Sequence, residues 1–162
     1  MEDERNMTGP SIGDHAPAFS LPRDGGGTIS LDEFSGKNVV LYFYPKDNTP
    51  GCTTEAIEFS ARKEEFERAN TVVIGMSPDS AKKHDNFCRK HALTIALAAD
   101  ETTETLQAYG VWAEKSMYGK KYMGVERTTM LIGKDGRIVK IWPKVKVPGH
   151  AEEVLEAAKA LQ

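Results

Sequence analysis

Cysteine is scarce in this chain. Cys52 and Cys88 are its two thiols, and they form no Cys-x-x-Cys pair. They are too few and too far apart for the disulfide framework of a small secreted domain; in a reducing compartment they either cycle between thiol and disulfide or sit as two unrelated buried thiols. Absent as well is any apolar run near the ~18 residues of a membrane helix. The opening residues 1–7 are acidic and polar, with no apolar core. A cytoplasmic protein with no membrane partner is the expectation. Cationic excess is missing: 21 Lys and Arg face 24 Asp and Glu, a net charge of -3, so no basic field draws in nucleic acid. Repeats, linkers and low-complexity stretches are also lacking.

What is present is an alternation of apolar runs and helical patterns. With 162 residues, 40% of them hydrophobic, one sizeable core is within reach, and a single domain over 1–162 is expected, residues 1–12 forming a loose arm. Ala16 to Leu21 reads as a short edge strand, Asp24-Gly25-Gly26-Gly27 as a turn, and Thr28 to Ser30 as a second strand. Ser30 can cap a brief helical turn over Leu31 to Phe34. The glycines are consecutive and open no helix, so they make no phosphate cradle. Val39 to Tyr44 is an unbroken apolar run that fits a strand buried on both faces, and Thr71 to Met76 and Leu93 to Ala99 repeat the pattern.

Between these runs lie helical periods. One helix is expected from Cys52 onward, with Ala56, Phe59, Phe66 and Ala69 at helical spacing, then Ser80 to His91, Glu104 to Tyr109, and a closing helix from Pro148-Gly149-His150. Thr128 to Ile132 and Arg137 to Trp142 flank Gly133-Lys134-Asp135-Gly136 and read as a β-hairpin. Val111 to Met123 reads as irregular or as a small hairpin. The sum is α/β: a thioredoxin-like fold, its central mixed β-sheet flanked by helices on both faces, with N-terminal β additions. A flavodoxin-like sheet suits the same alternation, but the hairpin near the C-terminus favours the former.

Chemistry concentrates where the first long strand gives way to the first long helix. Pro45 ends the ladder, Thr49-Pro50-Gly51 turns the chain, and Cys52 falls in the first helical turn, where unpaired amides and the helix dipole favour a thiolate. A lone cysteine is otherwise a small buried hydrophobe. Its position at the C-terminal edge of a strand, where open sheets carry their sites, favours the reactive reading. As bare residues, Pro45 is a strand stop and Thr49 a cap. His84, Cys88 and His91 share a helical face at spacings a zinc ion could use, though no fourth ligand is evident.

The spacing Pro-x-x-x-Thr-x-x-Cys at Pro45, Thr49 and Cys52 resembles the peroxidatic motif of the peroxiredoxins. The run Asn48 to Glu55 is similar to their bacterioferritin comigratory protein (PrxQ) branch. The likeness continues through Gly13-Asp14, Ala16-Pro17 and Phe19, Gly75 to Asp79, Gly110 to Trp112, Glu114-Lys115, Tyr118 to Lys120 and Glu126 to Thr129. The resemblance implies a thiol peroxidase acting on hydrogen peroxide or organic hydroperoxides, with no cofactor and no metal. Cys52 would be the peroxidatic nucleophile and Arg127 the motif arginine, held at the start of a strand adjoining the Cys52 strand. Thr49 would offer its hydroxyl to thiolate or peroxide, and Pro45 would shield the pocket.

One departure stands out. The resolving cysteine common in this branch lies five positions after the peroxidatic one, and Ile57 occupies that place. Cys88 resembles the position used by a minority of the branch, which implies an intramolecular Cys52–Cys88 disulfide, recycled by thioredoxin or a similar dithiol. With no third cysteine for a bridge between subunits, a monomer is expected. The alternatives are a peroxidase resolved by an external thiol, with Cys88 a packed core residue, and a thioredoxin-like disulfide oxidoreductase or chaperone, which lacks its usual vicinal cysteine pair here.

Overall fold

The computed structural model describes residues 9–161. Its centre is a five-stranded sheet in the order β5-β4-β3-β8-β9. Here β3 is Asn38–Phe43, β4 Thr71–Ser77, β5 Ala96–Ala99, β8 Thr128–Ile132 and β9 Ile138–Trp142. The first three run parallel, and β8 and β9 close the other edge antiparallel. That antiparallel edge excludes the flavodoxin-like alternative. Every residue of β3 is buried, as an apolar run in the middle of a sheet covered on both sides must be.

Two small sheets stand apart. One is β1 (Ser20–Pro22) with β2 (Thr28–Ser30), the other β6 (Trp112–Met117) with β7 (Lys120–Val125). The segment left open between irregular chain and hairpin is thus a hairpin. The first strand begins later than Ala16, and Leu93 to Ile95 belongs to a connection. Most of the loose arm expected over residues 1–12 lies outside the described residues; Gly13 and Ala16 already bond the backbone of Ile138 and Gly136.

Helices follow as α1 (Pro50–Ala61), α2 (Lys63–Arg68), α3 (Ala81–His91), α4 (Glu104–Ala108) and α5 (His150–Lys159). The single helix expected from Cys52 to Ala69 is two, interrupted at Arg62, where ψ opens to 10°. Alternation along β3 sends Val40, Tyr42 and Tyr44 to one face and Val39, Leu41 and Phe43 to the other. The first face packs Phe59, Phe66, Phe87, Val154 and Leu155 from α1, α2, α3 and α5. The second packs Phe19, Ile29, Leu106 and Tyr109, with α4 as its only α-helix among the described residues; the short 3-10 turn Leu31–Phe34, the N-terminal hairpin and Val111 and Val125 supply the rest. Both faces carry helices, as expected, but unequally. Gly75 lets this core close: a Cβ there would lie 2.7 Å from the Tyr42 ring.

Candidate active site

The loop between β3 and α1 is shaped by its own residue types. Asn48 adopts a left-handed φ of 65°, a region that asparagine tolerates better than most side chains. Thr49 is extended at the N-cap of α1, and Pro50 follows at the first helical position, where its missing N–H costs nothing. Cys52 is the third residue of the helix, its side chain buried. The sulfur therefore sits where the dipole of a twelve-residue helix favours negative charge.

Arg127 completes the arrangement from across the sheet. It directly precedes β8, whose Thr128 pairs with Phe43 at the end of β3, so the antiparallel register carries it over the start of α1. Its Nη2 donates to Cys52 Sγ at 3.3 Å and its Nη1 to Glu55 Oε1 at 2.6 Å. Burial works against the arginine's charge, but Cys52 and Glu55 outweigh it and raise its pKa.

Glu55 is the residue that sequence reasoning missed. Standing three positions after Cys52, it shares the same helical face, which was the available signal. It is 1% exposed, and burial lifts its carboxyl to about 7 against the pull of Arg127. Its second oxygen has no hydrogen-bond partner, nor does the buried Tyr42 hydroxyl. Burial, then the charge of Glu55, raises the Tyr42 phenol well above its usual value.

Of the residues singled out from the sequence, Cys52 and Arg127 are in contact. Thr49 stands at the N-cap position of the same turn but makes no side-chain cap bond: its hydroxyl donates to the Lys46 carbonyl at 2.8 Å, and not to sulfur. Pro45, half-buried, opens the loop. Cys88 lies on α3, half-buried, and both cysteines are free thiols. Burial, then the Asp24 carboxylate, pushes the Cys88 thiol up to about 12. The zinc reading fails at His84, whose Nδ1 meets Asp47 Oδ2 at 2.7 Å and whose Nε2 meets the Ala98 carbonyl at 3.0 Å. Neither nitrogen is left for a metal shared with Cys88 and His91.

A thioredoxin-like sheet that presents a helix-capped cysteine to an arginine defines a class of thiol enzyme, and comparison with known proteins agrees. The AhpC/TSA family model matches residues 12–141. Peroxiredoxin Bcp of Bacillus subtilis is 49% identical over 148 residues, 91% of this chain and 94% of that protein. PrxQ of Xylella fastidiosa superposes with a TM-score of 0.88 at 44% identity, covering 93% of this chain and 96% of that one. The bacterioferritin comigratory protein of Xanthomonas campestris, solved in a study of its alkyl peroxide reduction activity, superposes with a TM-score of 0.84 at 44% identity, over 88% and 91% of the two chains. The chain belongs to the AhpC/TSA family and, within it, to the Bcp/PrxQ peroxiredoxins. It is a thiol peroxidase, with peroxide substrates and a thiol reductant.

Proposed function

We propose that Cys52 is the peroxidatic cysteine and Cys88 its resolving partner, in one domain spanning the chain. The observation that carries the first part is the 3.3 Å contact between Arg127 and the Cys52 sulfur. The thiolate attacks one peroxide oxygen and the S–O bond forms as the O–O bond breaks. Hydroxide or alkoxide departs, takes a proton and leaves as water or alcohol, with Cys52 now a sulfenic acid. Fully ionising an ordinary thiol at pH 7 gains only about thirtyfold, roughly 2 kcal/mol. The guanidinium, the amides of the first turn of α1 and the Thr49 hydroxyl therefore have a further task, stabilising charge on the leaving oxygen. Thr49 reaches the peroxide by giving up Lys46, and Pro45 keeps bulk water from the loop.

Cys88 then attacks the sulfenic sulfur; the S–S bond forms, the S–O bond breaks, and the departing hydroxide leaves as water with the proton Cys88 gave up. The cysteine-to-serine mutants solved for Peroxiredoxin Q of Xanthomonas campestris support this choice. Their two positions are separated by the same interval as Cys52 and Cys88. A dithiol such as thioredoxin reduces the bridge. Organic hydroperoxides join hydrogen peroxide as substrates, a reading supported by the alkyl peroxide reduction activity of the Xanthomonas protein. The enzyme acts in the cytoplasm as a monomer; no helix among the described residues is long and apolar enough to cross a membrane.

Rapid mixing with peroxide tests the core of this reading. Cys52→Ser abolishes turnover, and Arg127→Ala lowers the rate of sulfenic acid formation at least a hundredfold while the thiolate absorbance of Cys52 falls by no more than the thirtyfold that ionisation supplies. Equal losses in both would reduce Arg127 to an aid to ionisation. Mass spectrometry after one equivalent of peroxide reads the second step: an unbridged Cys88 would assign resolution to an external thiol.

A further inference from the structure

A buried polar network unused by the peroxide chemistry runs beside the site. The Tyr44 hydroxyl donates to Asp47 Oδ1 at 2.7 Å, and the Asp47 amide donates to Asp79 Oδ2 at 2.8 Å. Asp79 also accepts the Ser77 hydroxyl at 2.8 Å. Asp47 Oδ2 lies 2.7 Å from His84 Nδ1, and His84 Nε2 donates to the Ala98 carbonyl. Asp47, Ser77, Asp79 and His84 are all buried. Since a backbone carbonyl only accepts, Nε2 carries a proton, and a second proton is shared between Nδ1 and Asp47.

The ends of this network matter. Asp47 belongs to the loop that leads to Cys52, whereas His84 belongs to α3, one turn ahead of Cys88. The 2.7 Å Asp47–His84 contact thus joins the peroxidatic loop to the helix that bears the second thiol, with the Tyr44 hydroxyl 3.5 Å from the same His84 nitrogen. A further bond, from the Gly25 amide to Asp85 Oδ1 at 2.8 Å, ties α3 to the turn between β1 and β2. With α3 in place the second thiol is withheld: it is half-buried, Asp24 stands beside it, and its pKa near 12 leaves almost no thiolate. The sulfur of Cys52 meanwhile rests on Arg127. Bridging needs the two Cα atoms within about 7 Å and both sulfurs turned toward each other. Any movement of α3 away from the loop must separate His84 from Asp47.

We propose that the Asp47–His84 contact is a latch that holds the Cys88 helix folded against the peroxidatic loop and so sets how long the Cys52 sulfenic acid persists. This rests on Cys88 as the resolving residue. While the latch is closed, a second peroxide competes for the sulfenic acid, delivering one oxygen to give a sulfinic acid and leaving as water or alcohol. Once it opens, Cys88 reaches the sulfur and water is lost. Asp47 and His84 are positioning residues, touching neither peroxide nor sulfur.

The test uses Asp47→Asn, which keeps the size and the acceptor for Tyr44 but removes the charge, and His84→Asn as a second variant should the first not fold. Hydrogen exchange of the α3 amides accelerates about tenfold, the scale of one weakened charge-assisted hydrogen bond. Disulfide formation after one equivalent of peroxide accelerates in parallel, and the sulfinic fraction at excess peroxide falls. In a Cys88→Ser background the same substitution leaves the sulfenic lifetime unchanged. Unaltered exchange overturns the latch whatever the chemistry does. Faster exchange without faster bridging overturns its control of the second step. A lifetime change in the Cys88→Ser background shows the network acting on Cys52 directly, which also overturns the proposal. If the unmodified chain forms no Cys52–Cys88 bridge, the assignment of Cys88 fails and takes the timing role with it, and the exchange data report separately whether the contact fastens α3.

Discussion

Arg127 divides its guanidinium between a sulfur at 3.3 Å and a carboxylate at 2.6 Å, so the protonation of Glu55 governs how much of the positive charge Cys52 receives. Glu55 is the group to titrate. Burial raises its folded value from 4.5 to about 7, so between those values the folded chain holds a proton that the unfolded chain has lost. The stabilisation is complete below about pH 4.5 and disappears as pH rises through 7. His150 has the opposite sign: burial lowers its pKa, and stability falls as pH drops below 6.5. Glu55→Gln retains an acceptor for Nη1 but has no proton to lose. From pH 5 to pH 8 wild type therefore loses stability relative to Glu55→Gln, measured as the difference in urea midpoints, with the shared His150 effect cancelling. A constant difference would mean that Glu55 ionises like a surface carboxylate. Peroxide-reaction rates should follow, with an inflection near pH 7 in wild type that is absent from the variant.

At the scale of elements, α3 is held by its ends as well as by its buried face. Ser80 is its N-cap and accepts from the Lys83 amide at 3.2 Å. Ser80→Ala should lower global stability by about 1 kcal/mol in urea titrations. In β4, Gly75→Ala drives a methyl into the Tyr42 ring and Leu97, and a loss of about 1–3 kcal/mol is expected from overpacking. Most elements were legible because their signals are local: the apolar run of β3, the glycine turn before β9, the apolar stripe of α5. The break between α1 and α2 was not. No glycine or proline marks Arg62, and the division accompanies the packing of α5 against both pieces, which local sequence does not encode. The unequal cover of the two sheet faces was hidden for the same reason, since periodicity tells which side of a helix is apolar but not which side of the sheet receives it.

For the whole molecule, the two cysteines lie on different helices and each sulfur has its own neighbours, Arg127 for one and Asp24 for the other. A Cys52–Cys88 bridge therefore costs helix. Far-UV circular dichroism should lose helical signal when the chain is oxidised by one equivalent of peroxide and regain it with dithiol; an unchanged spectrum in a chain proven to be bridged would mean that both helices survive the bond. The same form should elute as a monomer in size-exclusion chromatography coupled to light scattering.

The Pro45–Cys52 loop, the strand before it and the helix start that places Cys52 in a first turn were determined by sequence alone, because proline, glycine and an apolar run act within a few residues of themselves. Arg127 could be named from a motif, but its distance from sulfur came from strand register across the sheet. The claim of Glu55 on that arginine, and the joining of Asp47 to His84, were decided only by tertiary structure: buried charges take whichever partner the packed chain brings within 3 Å, and sequence separation says nothing of that.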